Sequence, residues 1–338
     1  MKDLSYLTRH YDEKIARIRA LRAPLNFVFI TDQHNRLTQH ALKDQGIEDP
    51  ARYELAVDAI RSIQYILDRC PEISFVVSGG DIGNDYARDP GEVRASLQEV
   101  MDALYSLSVP VHCVVGNHDD ALGNAIDRGD DTVPFAILPQ EMHALCMKYN
   151  PTPENYYYLD EPAGYRLIFL NTSDKPYYRM ENGQYPFGWR LEISDRQAEW
   201  LETQALQTER KIILISHSPL HNAGIFGTEG IGPNVPRSAI KPYDDTLNAP
   251  RVYYDVKRCK QVIAMLCGHV HYDNLIYDGD IVTVTTLSSF AQEWAPSSPR
   301  RVMGDITETA FDVFSFTENM LFITRFGAGC DRQAFLLR

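Results

Sequence analysis

Three times in the first third of the chain, an apolar run of strand-forming residues stops at a polar motif. Residues 25–30 stop at Thr31-Asp32, residues 73–77 at Ser78-Gly79-Gly80-Asp81, and residues 109–115 at Gly116-Asn117. Short runs rich in β-branched and aromatic side chains, bounded by turn residues, predict strands. Between them, about 51–69 and 91–107 read as helices, so this third is β-α-β-α-β. Ahead of it, Leu4, Leu7, Tyr11, Ile15 and Ile18 recur at helical spacing and predict an amphipathic helix over 4–22.

The theme continues downstream. Residues 156–159 and 165–170 resemble a hairpin with its turn near Glu161-Pro162-Ala163-Gly164, and residues 196–206 read as a helix. A strand over 211–216 delivers His217, and a strand over 262–267 delivers Gly268-His269. Residues 281–286, 310–316 and 321–326 read as later strands; without long helices between them, they are expected to pair antiparallel. The expected division is an N-terminal helix over 1–24 packed on the domain, a main α/β domain over 25–300, and C-terminal strands over 301–338 that close a sheet of the same domain. In α/β sheets, ligands gather at the carboxyl ends of the strands, which is where every polar motif falls. Two stretches, 175–189 and 222–254, show no regular pattern. Loops of that length in a compact domain usually serve a site or are disordered, and these two adjoin strand ends. Tyr177, Tyr178 and Trp189 are candidates to stack on a base or sugar, although loop aromatics more often fold onto their own domain.

Composition narrows the partners. Against 33 basic residues stand 46 acidic ones, a net charge of −13. That disfavours a nucleic-acid binder, which carries a basic stripe. No apolar run approaches the roughly 18 residues of a membrane span, and the N-terminus lacks the apolar segment of a signal peptide. A cytoplasmic location is the expectation. The six cysteines form no Cys-x-x-Cys pair, and Cys113 and Cys267 lie in strand-like runs, so buried thiols are expected.

The candidate chemistry lies in five motifs: Asp32-Gln33-His34, Gly80-Asp81, Gly116-Asn117-His118-Asp119, His217-Ser218-Pro219 and Gly268-His269-Val270-His271. Side chains at i and i+2 of a strand share a face, so Asp-x-His and His-x-His at strand tips are expected to aim two ligands at one ion. Imidazole with carboxylate suits Zn, Mn or Fe rather than calcium. Taken singly, each motif is more often a turn, a helix cap or surface polarity. Together and in this order, Asp32, His34, Asp81, Asn117, His217, His269 and His271 point to a metal cage.

In that order the motifs resemble those of the calcineurin-like metallophosphoesterases, over about residues 25–290. The resemblance implies two facing mixed sheets flanked by helices in α-β-β-α layers. It implies two divalent ions (Mn, Fe or Zn), with Asp81 bridging, Asp32, His34 and His271 completing one site, and Asn117, His217 and His269 the other. Metal-activated water would attack phosphorus, while His118, oriented by Asp119, protonates the leaving oxygen or steadies the phosphoryl charge. The substrate would be a small phosphomonoester or phosphodiester, with the diester preferred. A non-catalytic scaffold on the same fold and a nuclease are the alternatives. Two departures matter. The arginine that grips phosphate in protein phosphatases is missing from Asp81-Ile82-Gly83-Asn84-Asp85-Tyr86, and Asn84 stands where purple acid phosphatases carry an iron-binding tyrosine. Asn84 is therefore a candidate substrate contact, with a turn role as its rival.

Overall fold

A computed structural model describes residues 5–37, 55–220, 248–291 and 299–338. Its strands are β1 (Leu25–Ile30), β2 (Phe75–Ser78), β3 (Val111–Cys113), β4 (Tyr157–Asp160), β5 (Tyr165–Leu170), β6 (Lys211–Ser216), β7 (Val262–Cys267), β8 (Asn274–Asp278), β9 (Ile281–Thr285), β10 (Ala310–Phe316), β11 (Met320–Gly327) and β12 (Arg332–Phe335). The helices are α1 (Thr8–Leu21), α2 (Leu55–Leu67), α3 (Pro90–Tyr105), α4 (Leu122–Arg128), α5 (Thr132–Phe135), α6 (Pro139–Cys146), α7 (Asp195–Trp200) and α8 (Ala249–Arg258).

The strands form two six-stranded mixed sheets, ordered β12-β11-β10-β1-β2-β3 and β4-β5-β6-β7-β9-β8. Strand alternation divides their side chains between two cores. Along β5 and β6, Leu167, Phe169, Ile213 and Ile215 face inward and join Phe27, Phe29 and Phe314 of the first sheet. Their neighbours Ile168, Leu170, Ile212 and Leu214 face outward onto Ala198 of α7 and Val252 and Val256 of α8. On the first sheet's outer side, Tyr11 of α1 meets Phe326 edge-on at 4.8 Å between ring centroids.

Register places the site. In the first sheet, Ile30 pairs with Ser78 and Ser78 with Cys113. In the second, Leu170, Ser216, Cys267 and Thr285 lie abreast. The ends of the parallel strands are thus level, and the loops beyond them share one edge of the sandwich.

Several elements depart from the sequence expectation. β10 and β11 pair antiparallel as expected, but β9 joins the other sheet, antiparallel to β8 and parallel to β7, because β8 carries the chain to the sheet edge and β9 returns between β8 and β7. The single helix expected over 196–206 is α7 followed by a π turn, Leu201–Ala205, in which the Leu206 N–H reaches the Leu201 carbonyl at 3.0 Å. α8 emerges from the tail of the supposedly patternless 222–254 stretch; residues 221–247 lie outside the described residues, as does Leu4. Cys70, Cys113, Cys146 and Cys267 are buried free thiols.

The C-terminal strands also carry buried charge. Arg325, fully buried, donates to both Asp312 oxygens at 2.8 and 3.0 Å and to Asp273 at 2.5 Å. Arg332 donates to Asp312 at 2.6 Å and to the Thr285 carbonyl at 2.8 Å. Burial alone would raise the Asp312 carboxyl, but the two guanidinium groups hold it below the usual range.

Candidate metal centre

Beyond their last paired residues, β1 and β2 stay in register as loops. Asp32 donates its N–H to the Gly80 carbonyl at 3.0 Å, His34 to Asp81 at 2.9 Å, and Asn35 to Ile82 at 2.9 Å. This laces the Asp-x-His loop to the Gly-Asp loop. The local geometry is not the extended strand expected from period-two alternation. Asp32, His34, Asp81, His269 and His271 all have positive φ, between 40° and 67°. Left-handed backbone at a non-glycine residue costs on the order of 1 kcal/mol and persists where surrounding bonds enforce it. Here it turns the side chains inward from both sheets. Gly116 is needed for a different reason: a Cβ there would lie 2.1 Å from Asp81 Oδ1.

The ligand atoms of Asp32, His34, Asp81 and His271 lie within 4.8 Å of one another, and so do those of Asp81, His217 and His269. Asp81 belongs to both groups. In the first, His271 Nε2 is 3.1 Å from Asp32 Oδ1 and 3.3 Å from His34 Nε2, and His34 Nε2 is 3.6 Å from Asp81 Oδ2. In the second, His217 Nε2 is 3.1 Å from Asp81 Oδ2, 3.2 Å from Asn117 Oδ1 and 3.2 Å from His269 Nδ1. Donors bound at about 2.1 Å to one ion stand about 3.0–3.4 Å apart in tetrahedral or octahedral geometry. The residues therefore fit a divalent cation in each group.

Hydrogen bonds around the pocket fix its donors. The Gly79 carbonyl can only accept, so the proton of the His217 ring sits on Nδ1, 2.7 Å away, and Nε2 faces the pocket. Thr31 and the His269 backbone N–H donate to Asp32 at 2.7 and 3.0 Å. Burial holds His34 down at about 4 and His269 at about 3, so both rings are neutral and free to bind a cation at neutral pH. Burial opposes ionisation of Asp32, but His271 brings it down to about 2. For His217 burial again opposes charge, yet the neighbouring Asp81 draws it up to about 9, so a cation bound at Nε2 would replace a proton there.

His118 sits at the lip, its side chain 26 % exposed, with Nε2 4.0 Å from Asp81 Oδ2. Its ring is not held by Asp119, which corrects that expectation. Asp119 accepts from the backbone N–H groups of Ile82, Gly116 and Asp81 at 2.7, 2.7 and 3.1 Å, tying the Gly-Asp and Gly-Asn loops together. Asp85 holds His118 instead, Oδ2 to Nδ1 at 2.8 Å, and Asn124 supports the same oxygen at 2.8 Å. Burial works against charge on His118, but Asp85 and Asp81 raise it to about 10. Asp85 was missed because it stands among turn residues, four positions after Asp81, and only the turn brings it to the ring. Asn84 is fully buried, and its Oδ1 accepts from the Tyr86 N–H at 3.1 Å, which is the turn role.

The sheet edge, the five loops and the paired donor groups are those of a known architecture. A family profile described as Calcineurin-like phosphoesterase matches residues 25–273. Among solved structures, a dimetal phosphatase from Danio rerio superposes with a TM-score of 0.59 at 16% identity, covering 93% of this chain and 99% of that one. PhoD gives 0.52 at 11% identity over 92% and 68% of the two chains. GAP50, described as the anchor in the inner membrane complex of Plasmodium, gives 0.51 at 15% over 93% and 88%. At these identities the superpositions speak for the fold alone. No curated protein matches the sequence. No described helix is long and apolar enough to cross a membrane. With the profile covering most of its length, the chain belongs to the calcineurin-like phosphoesterase family.

Proposed function

We propose that this chain is a two-metal hydrolase of small phosphate esters, with His118 as its general acid. One observation carries the reading: two groups of donors at coordination spacing share Asp81, and the His118 imidazole stands beside them at the pocket's lip. Two divalent ions, Mn, Fe or Zn, would polarise the phosphoryl oxygens and make water a nucleophile near neutral pH. Asp32, His34 and His271 would hold one, and Asn117, His217 and His269 the other. Asp85 keeps the His118 Nδ1 occupied, so Nε2 is the atom that presents a proton to the leaving oxygen. Asp119 fixes the backbone that carries Asp81, Asn117 and His118.

A diester is the preferred substrate. It carries one negative charge where a monoester carries up to two, and the motif after Asp81 lacks the arginine that would grip the second. The test is a panel on the metal-loaded protein: bis-p-nitrophenyl phosphate against p-nitrophenyl phosphate, then cyclic nucleotides and glycerophosphodiesters. Hydrolysis that His118→Ala abolishes without loss of metal supports the reading; hydrolysis unchanged in His118→Ala refutes the role of His118.

A further inference from the structure

The 175–190 segment, which has no regular element, is anchored to the loop that carries His118. Lys175 and Asp120 form a buried pair at 2.6 Å, with side chains only 1% and 3% exposed. The Tyr177 hydroxyl donates to the same Asp120 oxygen at 2.8 Å, and Lys175 also donates to the Gly188 carbonyl. A buried ion pair of this kind adds little net stability but fixes geometry, since separating it would strand a charge. What it fixes is Trp189. The indole lies 5.6 Å from the His118 ring, centroid to centroid, tilted by 43°. It packs on Gly123 so closely that a Cβ there would fall 1.8 Å from Nε1. Yet Trp189 remains 36% exposed. A large aromatic side chain, held rigidly and left open beside the catalytic imidazole, has the properties of a stacking surface.

We infer that Trp189 is a specificity-determining platform that stacks the planar part of the leaving group, selecting phosphate esters of nucleoside-like alcohols. The inference rests on the phosphoesterase reading for which end of the substrate faces His118. The Trp189 ring is centred 5.6 Å from the His118 ring, so a planar group joined to the ester oxygen through a spacer the size of a sugar can reach it.

The test uses a probe that cannot react. Adenosine is titrated calorimetrically into metal-loaded wild type, Trp189→Ala, Trp189→Phe and Gly123→Ala, with glycerol as the non-planar control. The expected result is that Trp189→Ala weakens adenosine about 5- to 100-fold, the range for stacking one base on an aromatic side chain. Trp189→Phe retains part of the affinity. Gly123→Ala, which keeps the tryptophan but displaces it, loses as Trp189→Ala does. In parallel, kcat/KM for adenosine 5′-phosphate and glycerol 3-phosphate, each as monoester and methyl diester, separates planar from non-planar leaving groups on chemically similar primary alcohols. The platform predicts that only the adenosine esters suffer in Trp189→Ala. No adenosine binding to wild type, or equal affinity in wild type and Trp189→Ala, overturns it. If adenosine binding responds as expected while no ester is hydrolysed, the platform stands and the phosphoesterase reading falls.

Discussion

Two clusters of polar side chains meet almost at one point in this chain, because His271 belongs to one and Asp273 to the other. The cluster around Arg325 and Arg332 sets two guanidinium groups against two carboxylates, Asp273 and Asp312, and donor meets acceptor at every short distance. The pocket around Asp81 is built the other way. Imidazole nitrogens face one another at 3.2 and 3.3 Å, and acceptor oxygens of Asp32, Asp81 and Asn117 converge with them. Burying polar groups is costly unless they are partnered. The Arg325 cluster supplies its own partners. The pocket instead gathers imidazole nitrogens and acceptor oxygens at coordination spacing around Asp81. The same sheet edge therefore holds one network of guanidinium–carboxylate pairs and one cluster of donors spaced for cations.

This contrast can be broken from either side. The largest effect is expected for Asp81→Asn, which serves both groups of donors: metal content and phosphoester hydrolysis should both be lost while the chain stays folded, as read by metal analysis and circular dichroism. Next, His118→Ala should lower kcat by about 10²–10⁴-fold with metal content kept, since it removes a proton donor and not a ligand. Arg325→Met should do the opposite. It leaves the buried Asp312 without its main partner and should cost about 3–5 kcal/mol of stability by urea denaturation. Direction with pH follows from the same network. Asp312 titrates lower in the fold than in the unfolded chain, so its contribution is complete above the usual Asp value of about 4 and fades as pH falls toward its folded value. In Arg325→Met that acid-side slope should flatten. The smallest effect is a shift in profile. Asp85→Asn removes the charge that holds His118 up, so the alkaline limb of kcat against pH should move to lower pH.

The pocket was legible because each ligand follows a strand, and strands ending in Gly-Asp or Gly-Asn are conspicuous in a linear reading. The facing sheets followed from the resemblance. What escaped depends on contacts distant in sequence. Asp85 takes the duty expected of Asp119 because the turn after Asp81, and not proximity to His118 in the chain, decides which carboxylate reaches the ring. The left-handed backbone at Asp32, His34, His269 and His271 was hidden for a related reason: these residue types do not demand positive φ, and the bonds between loops impose it. β8 and β12 were missed as short edge strands of mixed character, and α8 because its two buried valines follow a stretch rich in proline and glycine. Trp189 could be singled out as an aromatic in a loop, but its place against His118 depends on the Lys175–Asp120 pair, which no local pattern announces.

The central claim is that the pocket's converging donors are completed by two cations. Metal analysis of the folded protein, purified without chelator and re-equilibrated with Mn, Fe or Zn, tests it most directly. The account predicts close to two ions per chain in wild type and a loss of metal in Asp81→Asn. A well-folded, metal-replete wild type that retains none would contradict it.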